Sequence, residues 1–247
     1  MAFDVSDRRV VVTGATSGIG AGIAQAFADA GARVAGISLE GEPPCDGIFV
    51  LGDTGDSDAV DALADRVVEE WDGIDVWVNN AARLMVRPIV ETSDDDWHAL
   101  LAANLHGYFY GCRAAARQMT AQETGGRIVN ITSQADVQAV PGLGAYTAAK
   151  GGIVGLTKVL ALELAPAAIT VNAVAPGAID TPLNTKAWTP EVRRTYEQRI
   201  PLGIGKPEEV ADVVLFLASE AGRYVTGQEV IVDGGLTING AVGHARD

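Results

Sequence analysis

The stretch Y-T-A-A-K sets a phenol, Tyr146, and an amine, Lys150, four residues apart in a chain that has five tyrosines and four lysines. Residues at that spacing stack on one helix face, which brings the Lys150 ammonium beside the Tyr146 hydroxyl. A neighbouring cation favours phenolate and draws a tyrosine pKa down from about 10, as a general acid and base at working pH requires. Ser133 closes the apolar run GRIVNITS upstream, and its hydroxyl there can hold a substrate oxygen toward Tyr146. In this composition a Y-x-x-x-K match arises by chance roughly 0.08 times, and with the serine about 0.002 times. The set therefore reads as machinery for moving a proton on and off an oxygen. Paired with hydride transfer at carbon, that chemistry is carbonyl reduction or, in reverse, alcohol oxidation of a small molecule.

A hydride carrier needs its own site. In TGATSGIG, Gly14, Gly18 and Gly20 follow a β-branched run and open a segment of helical periodicity, so backbone amides at a helix N-terminus would face a pyrophosphate. The glycine pattern alone is weak, expected about 0.4 times by chance; its place after the first strand gives it meaning. NAD and NADP are usually told apart at the end of the second strand. Here Ser38, Leu39 and Glu40 stand there, with no Lys or Arg at 16, 17 or 38–40. Glu40 would repel a 2′-phosphate, so NAD is expected and NADP is less favoured, although Ser38 holds the usual carboxylate position.

Both sets must be positioned by a scaffold. Seven short apolar runs, RRVVVTG, RVAGIS, IFVLGD, IDVWVNN, GRIVNITS, ITVNAVAPG and EVIVDGG, alternate with helical patterns, including one long helix over DDDWHALLAANLHGYFYGCRAAARQM. Continuous apolar strands between helices predict a doubly wound parallel sheet covered on both faces, in a single domain. Ligands then bind at the carboxyl ends of the strands, where TGATSGIG, GD, NNAA, TS and PG all fall. The link EGEPPCDG is too short and proline-rich for a crossover helix. The excursion from Thr181 to about Lys206 is long enough to serve as a substrate lid.

Bulk properties exclude other classes. The 247 residues are 48% hydrophobic, and 18 basic against 32 acidic residues leave a net charge of −14. That balance argues against nucleic acid and anionic membranes as partners. No run reaches the roughly 18 apolar residues of a membrane span. The opening MAFDVSDRRVVVTG carries Asp4, Asp7, Arg8 and Arg9 where a signal peptide would be apolar, so a cytoplasmic protein is expected. Cys45 and Cys112 share no redox or zinc spacing, and His98, His106 and His244 form no ligand set; no metal is expected.

From Val10 to about Leu236 these motifs resemble the short-chain dehydrogenase/reductase family, in its short single-domain branch. The residues that carry the resemblance are TGATSGIG, NNAA at 79–82, Asn104, Ser133, Tyr146, Lys150 and PGAIDT at 176–181. It implies a Rossmann-type doubly wound sheet of about seven strands. It also implies Asn104, Ser133, Tyr146 and Lys150 as catalytic residues, with Asn104 shaping a water-linked proton relay and Lys150 also binding the nicotinamide ribose. The implied cofactor site comprises Gly14, Thr16, Ser17, Gly18, Ile19, Gly20, Ser38, Leu39, Asp53, Thr54, Asn80, Ala81, Ala82, Tyr146, Lys150, Pro176, Gly177, Ile179 and Thr181. Within it Asp53 meets the adenine and Thr181 the carboxamide. The implied substrate residues are Ser133, Gln134, Val140, Tyr146, Gly177, Leu183 and Trp188, with Met85 and Asp136 nearby.

That mixture of polar and apolar groups suits a polyol, sugar or cyclic alcohol, while a purely apolar ketone remains open. Two other readings stand beside it: an NADPH-dependent carbonyl or 3-oxoacyl reductase, and a cofactor-binding sensor without turnover. The same resemblance implies a homotetramer, in which the tail INGAVGHARD is a candidate to cover a neighbouring pocket. The sequence departs from the family pattern at Ala82 and Ala168, where glycine is common.

Overall fold

The first β-branched run folds as β1 (Arg9–Thr13), and in the computed structural model, which describes residues 3–240, six further strands join it. These are β2 (Arg33–Ser38), β3 (Gly47–Leu51), β4 (Val76–Asn79), β5 (Gly126–Ile131), β6 (Ile169–Pro176) and β7 (Glu229–Val232). All pairings are parallel, in the order β3-β2-β1-β4-β5-β6-β7. The order reverses between β1 and β4, so the crevice beyond their carboxyl ends is the switch point where ligands bind in such sheets. The expected seven-stranded, Rossmann-type single domain is thus the fold observed.

Alternation along the strands divides the core. Val10 and Val12 pack with Ile23 and Phe27 of α1 (Gly18–Asp29) and with Val210, Val214 and Leu217 of α8 (Pro207–Ala218). Val11 faces the other way, joining Leu63 and Val67 of α2 (Ser57–Trp71) and Ala115 and Met119 of α4 (Gly107–Ala121). Successive strand side chains point to opposite faces, so apolar runs like VVV are what a sheet buried on both sides demands. The eight residues from Leu39 to Asp46 contain no helix, as the prolines there predict.

One element differs from expectation. The long helix over residues 94–119 is interrupted: α3 (Asp94–Leu101) passes through a π-helical turn, Ala102–His106, into α4. Asn104 lies inside that turn, fully buried, and its Nδ2 donates to Leu100 O at 3.0 Å. A side chain that takes the carbonyl four residues back competes with the helical ladder and widens the turn. A buried polar network ties the sheet to α5 (Gly144–Leu164): Trp77 Nε1 donates to Asn79 Oδ1, Asn79 Nδ2 to Asn130 Oδ1, and Asn130 Nδ2 to Thr157 Oγ1, at 2.8–2.9 Å.

No helix among the described residues is long and apolar enough to cross a membrane, and no described group of side chains could hold a metal ion. Residues 241–247, which include His244 and most of the tail expected to cover a neighbouring pocket, lie outside the described residues.

Candidate active site

The carboxyl ends of β1, β4, β5 and β6 frame one cavity of about 330 Å³. On its cofactor side, Gly14 adopts φ +67°, and a Cβ at Gly20 would stand 2.0 Å from Gly14 O. Only hydrogen fits at position 20, so the loop can fold back on the first turn of α1. Thr13 Oγ1 accepts from the amides of Asn80 and Ala81 at 2.9 and 3.0 Å, while Asn80 Nδ2 donates to Thr13 O at 2.9 Å. The NNAA segment is thereby pinned to the glycine loop.

At the N-terminus of α1, Ser17 makes no side-chain hydrogen bond to the first turn, and that turn carries no acidic residue. Gly18 and Ile19 face the cavity. Uncapped amides at the positive end of a helix suit a phosphate, so the residues present fit a dinucleotide.

The residues expected to move a proton lie across the cavity. Ser133, after β5, and Tyr146 and Lys150, on α5, all line it. Ser133 Oγ accepts from Ala135 N at 3.2 Å. Burial pushes the Tyr146 phenol up to about 12, while Ser133 pulls the other way. This is opposite to the lowering that the Y-x-x-x-K spacing led us to expect from Lys150. The reason is where the amine points: Lys150 Nζ donates to Tyr108 Oη at 2.9 Å and to Ile131 O at 2.8 Å. Burial draws the Lys150 amine down to about 7, with Asp136 opposing. Asp136 is itself raised to about 7 by burial and by the like charge of Glu229.

Asn104 does not reach the cavity. Its Nδ2 donates to Arg83 O at 3.0 Å as well as to Leu100 O, and its Oδ1 accepts from Arg83 N at 3.3 Å. Its side chain clamps the segment after β4 to the π turn.

Of the other expected residues, Gly14, Ser17, Gly18, Ile19, Asn80, Ala81, Ala82, Gln134, Pro176, Gly177, Thr181, Leu183 and Trp188 line the cavity. Thr16, in the glycine loop after β1, and Ser38, Leu39, Asp53 and Thr54, at and beyond the ends of β2 and β3, stand outside it. There Thr16 N donates to Ser38 Oγ at 3.3 Å, and Leu39 and Asp53 face solvent. Gly20 lies behind Gly14, Val140 sits half-buried in the turn before α5, and Ile179 is buried in the α1–α8 side of the core. Met85 packs with Leu100 and Ala149, away from the cavity wall.

Thr181 caps α6 (Pro182–Ala187), accepting from Asn184 N at 3.3 Å. α6 and α7 (Pro190–Arg199) make up most of the 181–206 excursion. It walls the cavity with Leu183, Asn184, Trp188, Val192 and Tyr196. Asn184, Val192 and Tyr196, with Leu84, Val86 and Leu143, were not anticipated. Their helical and loop positions gave no motif, and only the Trp188–Tyr196 pair, ring centres 5.1 Å apart, carries an aromatic signal. Gln134 Oε1 is buried without a hydrogen-bond partner among the described residues.

With that geometry in place, likeness to known proteins is informative. Residues 14–237 match a family model described as enoyl-(acyl carrier protein) reductase. The chain is 42% identical over 241 residues to the 3-oxoacyl-(acyl-carrier-protein) reductase FabG of Thermotoga maritima, covering 92% of this chain and 97% of that protein. It is 38% identical over 248 residues to D-threitol dehydrogenase of Mycolicibacterium smegmatis, covering 96% and 95%. The structure of Thermoplasma acidophilum aldohexose dehydrogenase in ligand-free form superposes with a TM-score of 0.92 at 34% identity, covering 99% of this chain and 100% of that one.

The chain belongs to the short-chain dehydrogenase/reductase family. It is an NAD(P)-dependent oxidoreductase acting on alcohols and ketones.

Proposed function

We propose that this protein is an NAD-dependent dehydrogenase of a hydroxylated small molecule, a polyol, sugar or cyclic alcohol, with Tyr146 as general acid and base. The observation that carries the reading is that Ser133, Tyr146 and Lys150 share one cavity with the uncapped N-terminus of α1. The bound nicotinamide cofactor supplies hydride exchange at the substrate carbon. Gly14, Ser17, Gly18, Ile19 and Asn80 would hold its phosphate-bearing half, and Lys150, Pro176, Gly177 and Thr181 its nicotinamide half. Ser133 orients the substrate oxygen, and Tyr146 gives it a proton in reduction or takes one in oxidation. Asn104 serves as a positioning residue, holding the segment that carries Asn80 to Ala82.

Preference for NAD rests on the rim of the site. No cation stands at 16, 17 or 38–40, Ser38 Oγ is engaged by Thr16 N, and Thr16 Oγ1 donates to Glu40 O at 2.6 Å. The hydroxylated substrate is favoured by Gln134 Oε1, a buried acceptor in want of a donor such as a substrate hydroxyl. The segment 181–206 acts as the lid. The exposed Phe109, Val159 and Leu162 on α4 and α5 suit a homotetramer packed through those helices.

A second reading, an NADPH-dependent 3-oxoacyl reductase, is favoured by the 42% identity to FabG and by the apolar wall of Leu84, Val86, Leu183 and Trp188. Absorbance at the NADH band separates them. Turnover of polyols, aldoses or cyclic alcohols with NAD supports the first, and turnover only of 3-oxoacyl thioesters with NADPH supports the second. Activity surviving intact in Tyr146→Phe sinks both.

A further inference from the structure

Tyr108 of α4 has no part in the chemistry described so far, yet it is in direct contact with the amine of Lys150. It is 1% exposed, as is Lys150. Tyr108 Oη donates to Ile131 O at 2.8 Å and accepts from Lys150 Nζ at 2.9 Å, while Lys150 Nζ also donates to Ile131 O at 2.8 Å. The three atoms close a buried triangle, and Nζ lies 4.5 Å from the centre of the Tyr108 ring.

A phenol has one proton to give. Here it is committed to Ile131, so the lone pairs of Tyr108 Oη are turned to Lys150. A buried ammonium is retained only where acceptors replace its lost water. Both hydrogen-bond acceptors of Lys150 are uncharged oxygens, one from the strand end and one from Tyr108. Burial holds the Tyr108 pKa well above its ordinary value, so the hydroxyl stays an acceptor with a fixed proton throughout the working range.

We propose that Tyr108 is a positioning residue for proton transfer: its hydroxyl keeps the buried Lys150 amine charged and holds it beneath Tyr146, whose ring centre is 5.6 Å from Nζ. The inference rests on the reading of Tyr146 and Lys150 as the proton-transfer pair. Other titratable groups surround the Tyr108–Lys150 pair. Tyr146 stands on its own helix, Asp136 in the turn after β5 with Glu229 of β7 behind it, and Cys112 beside Tyr108 on α4, its thiol pushed up to about 12 by burial. Asp136 favours the ammonium from a distance, while Tyr108 is the side chain that touches it.

The test needs no turnover. With four lysines in the chain, ε-13C-lysine labelling of the full-length protein gives few resonances, and a Lys150→Met variant assigns the one from Lys150. Loss of a hydrogen bond to a charged group corresponds to about one pH unit or more. The Lys150 midpoint is therefore expected to fall by about that much in Tyr108→Phe, which keeps the ring and removes only the hydroxyl.

In kinetics the same variant lowers kcat with little change in KM, and the pH-rate limb belonging to the amine moves down with the midpoint. An unchanged midpoint in folded Tyr108→Phe overturns the proposal. Should that variant fail to fold, the wild type decides. A nuclear Overhauser contact between the Lys150 ε-protons and the Tyr108 ring, persisting through the titration, supports it, and absence of that contact overturns it. Failure of the dehydrogenase reading would show instead as absent turnover in the wild type with the titration result intact.

Discussion

Lys150 Nζ stands 5.6 Å from the centre of the Tyr146 ring while both its hydrogen bonds run elsewhere, to Tyr108 and Ile131. Tyr146 therefore keeps the pKa that burial imposes, about 12. At neutral pH the phenol is protonated, ready to give a proton to a carbonyl oxygen but poorly able to take one from an alcohol. The consequence is an asymmetric pH dependence. Alcohol oxidation should rise through the alkaline range, by up to about tenfold per pH unit while phenolate is the minor form. Carbonyl reduction, which uses the protonated phenol, should show no such rise. Initial rates in both directions between pH 6 and 10 check this, and an oxidation rate flat across that range would contradict it.

Gly20 offers a second measurement. A methyl group there would meet Gly14 O at 2.0 Å and Asn80 Nδ2 at 2.4 Å, so Gly20→Ala must push the glycine loop away from the NNAA segment. NADH binding, followed by its fluorescence, is expected to weaken by about tenfold or more, the equivalent of one disturbed phosphate contact. Far-ultraviolet circular dichroism should show the fold retained. Wild-type affinity in the variant would mean that the loop does not hold the cofactor.

Much of this architecture was legible in the sequence because it rests on local chemistry. Apolar β-branched runs marked each strand, Pro43 and Pro44 removed a crossover helix, and the four-residue spacing of Tyr146 and Lys150 put them on one face. What escaped depends on side chains choosing partners across the fold. The helical periodicity around Asn104 is continuous, and the π turn coincides with a bond from its side chain to Leu100 O that competes with the backbone ladder. Likewise the spacing of Tyr146 and Lys150 says nothing of Tyr108, one turn beyond Asn104 on another helix, which takes the amine. Cavity walls drawn from the lid, such as Val192 and Tyr196, follow from where Tyr196 of α7, with Ile200 just after it, packs on Ala178 and Leu236, a contact no local pattern encodes.

Ala168, where the family pattern favours glycine, adopts φ 57° and ψ 30°. A Cβ in the left-handed region costs about 1–2 kcal/mol, partly offset by the freedom glycine gains in the unfolded chain. Ala168→Gly is expected to stabilise the protein by about 0.5–1 kcal/mol, raising Tm by roughly 1–4 °C for a chain of this size. Differential scanning calorimetry measures it, and a lowered Tm would show that the turn is not strained.

Asp136 provides the opposite case, a native residue whose charge works against the fold. Burial, and then the like charge of Glu229, raise its carboxyl from the ordinary 3.8 to about 7, and neither carboxylate oxygen has a hydrogen-bond partner among the described residues. A carboxyl with a raised folded pKa binds its proton more tightly in the native state. Stability is therefore undiminished below the unfolded value, falls as pH rises from about 4 to about 7, and stays lowered above that. Asp136→Asn removes the charge and keeps the shape. Its Tm should exceed that of the wild type at pH 8, and the difference should shrink steadily as pH is brought down toward 5. Equal Tm at pH 8, or a gain that grows on acidification, would show that Asp136 does not carry the unfavourable charge.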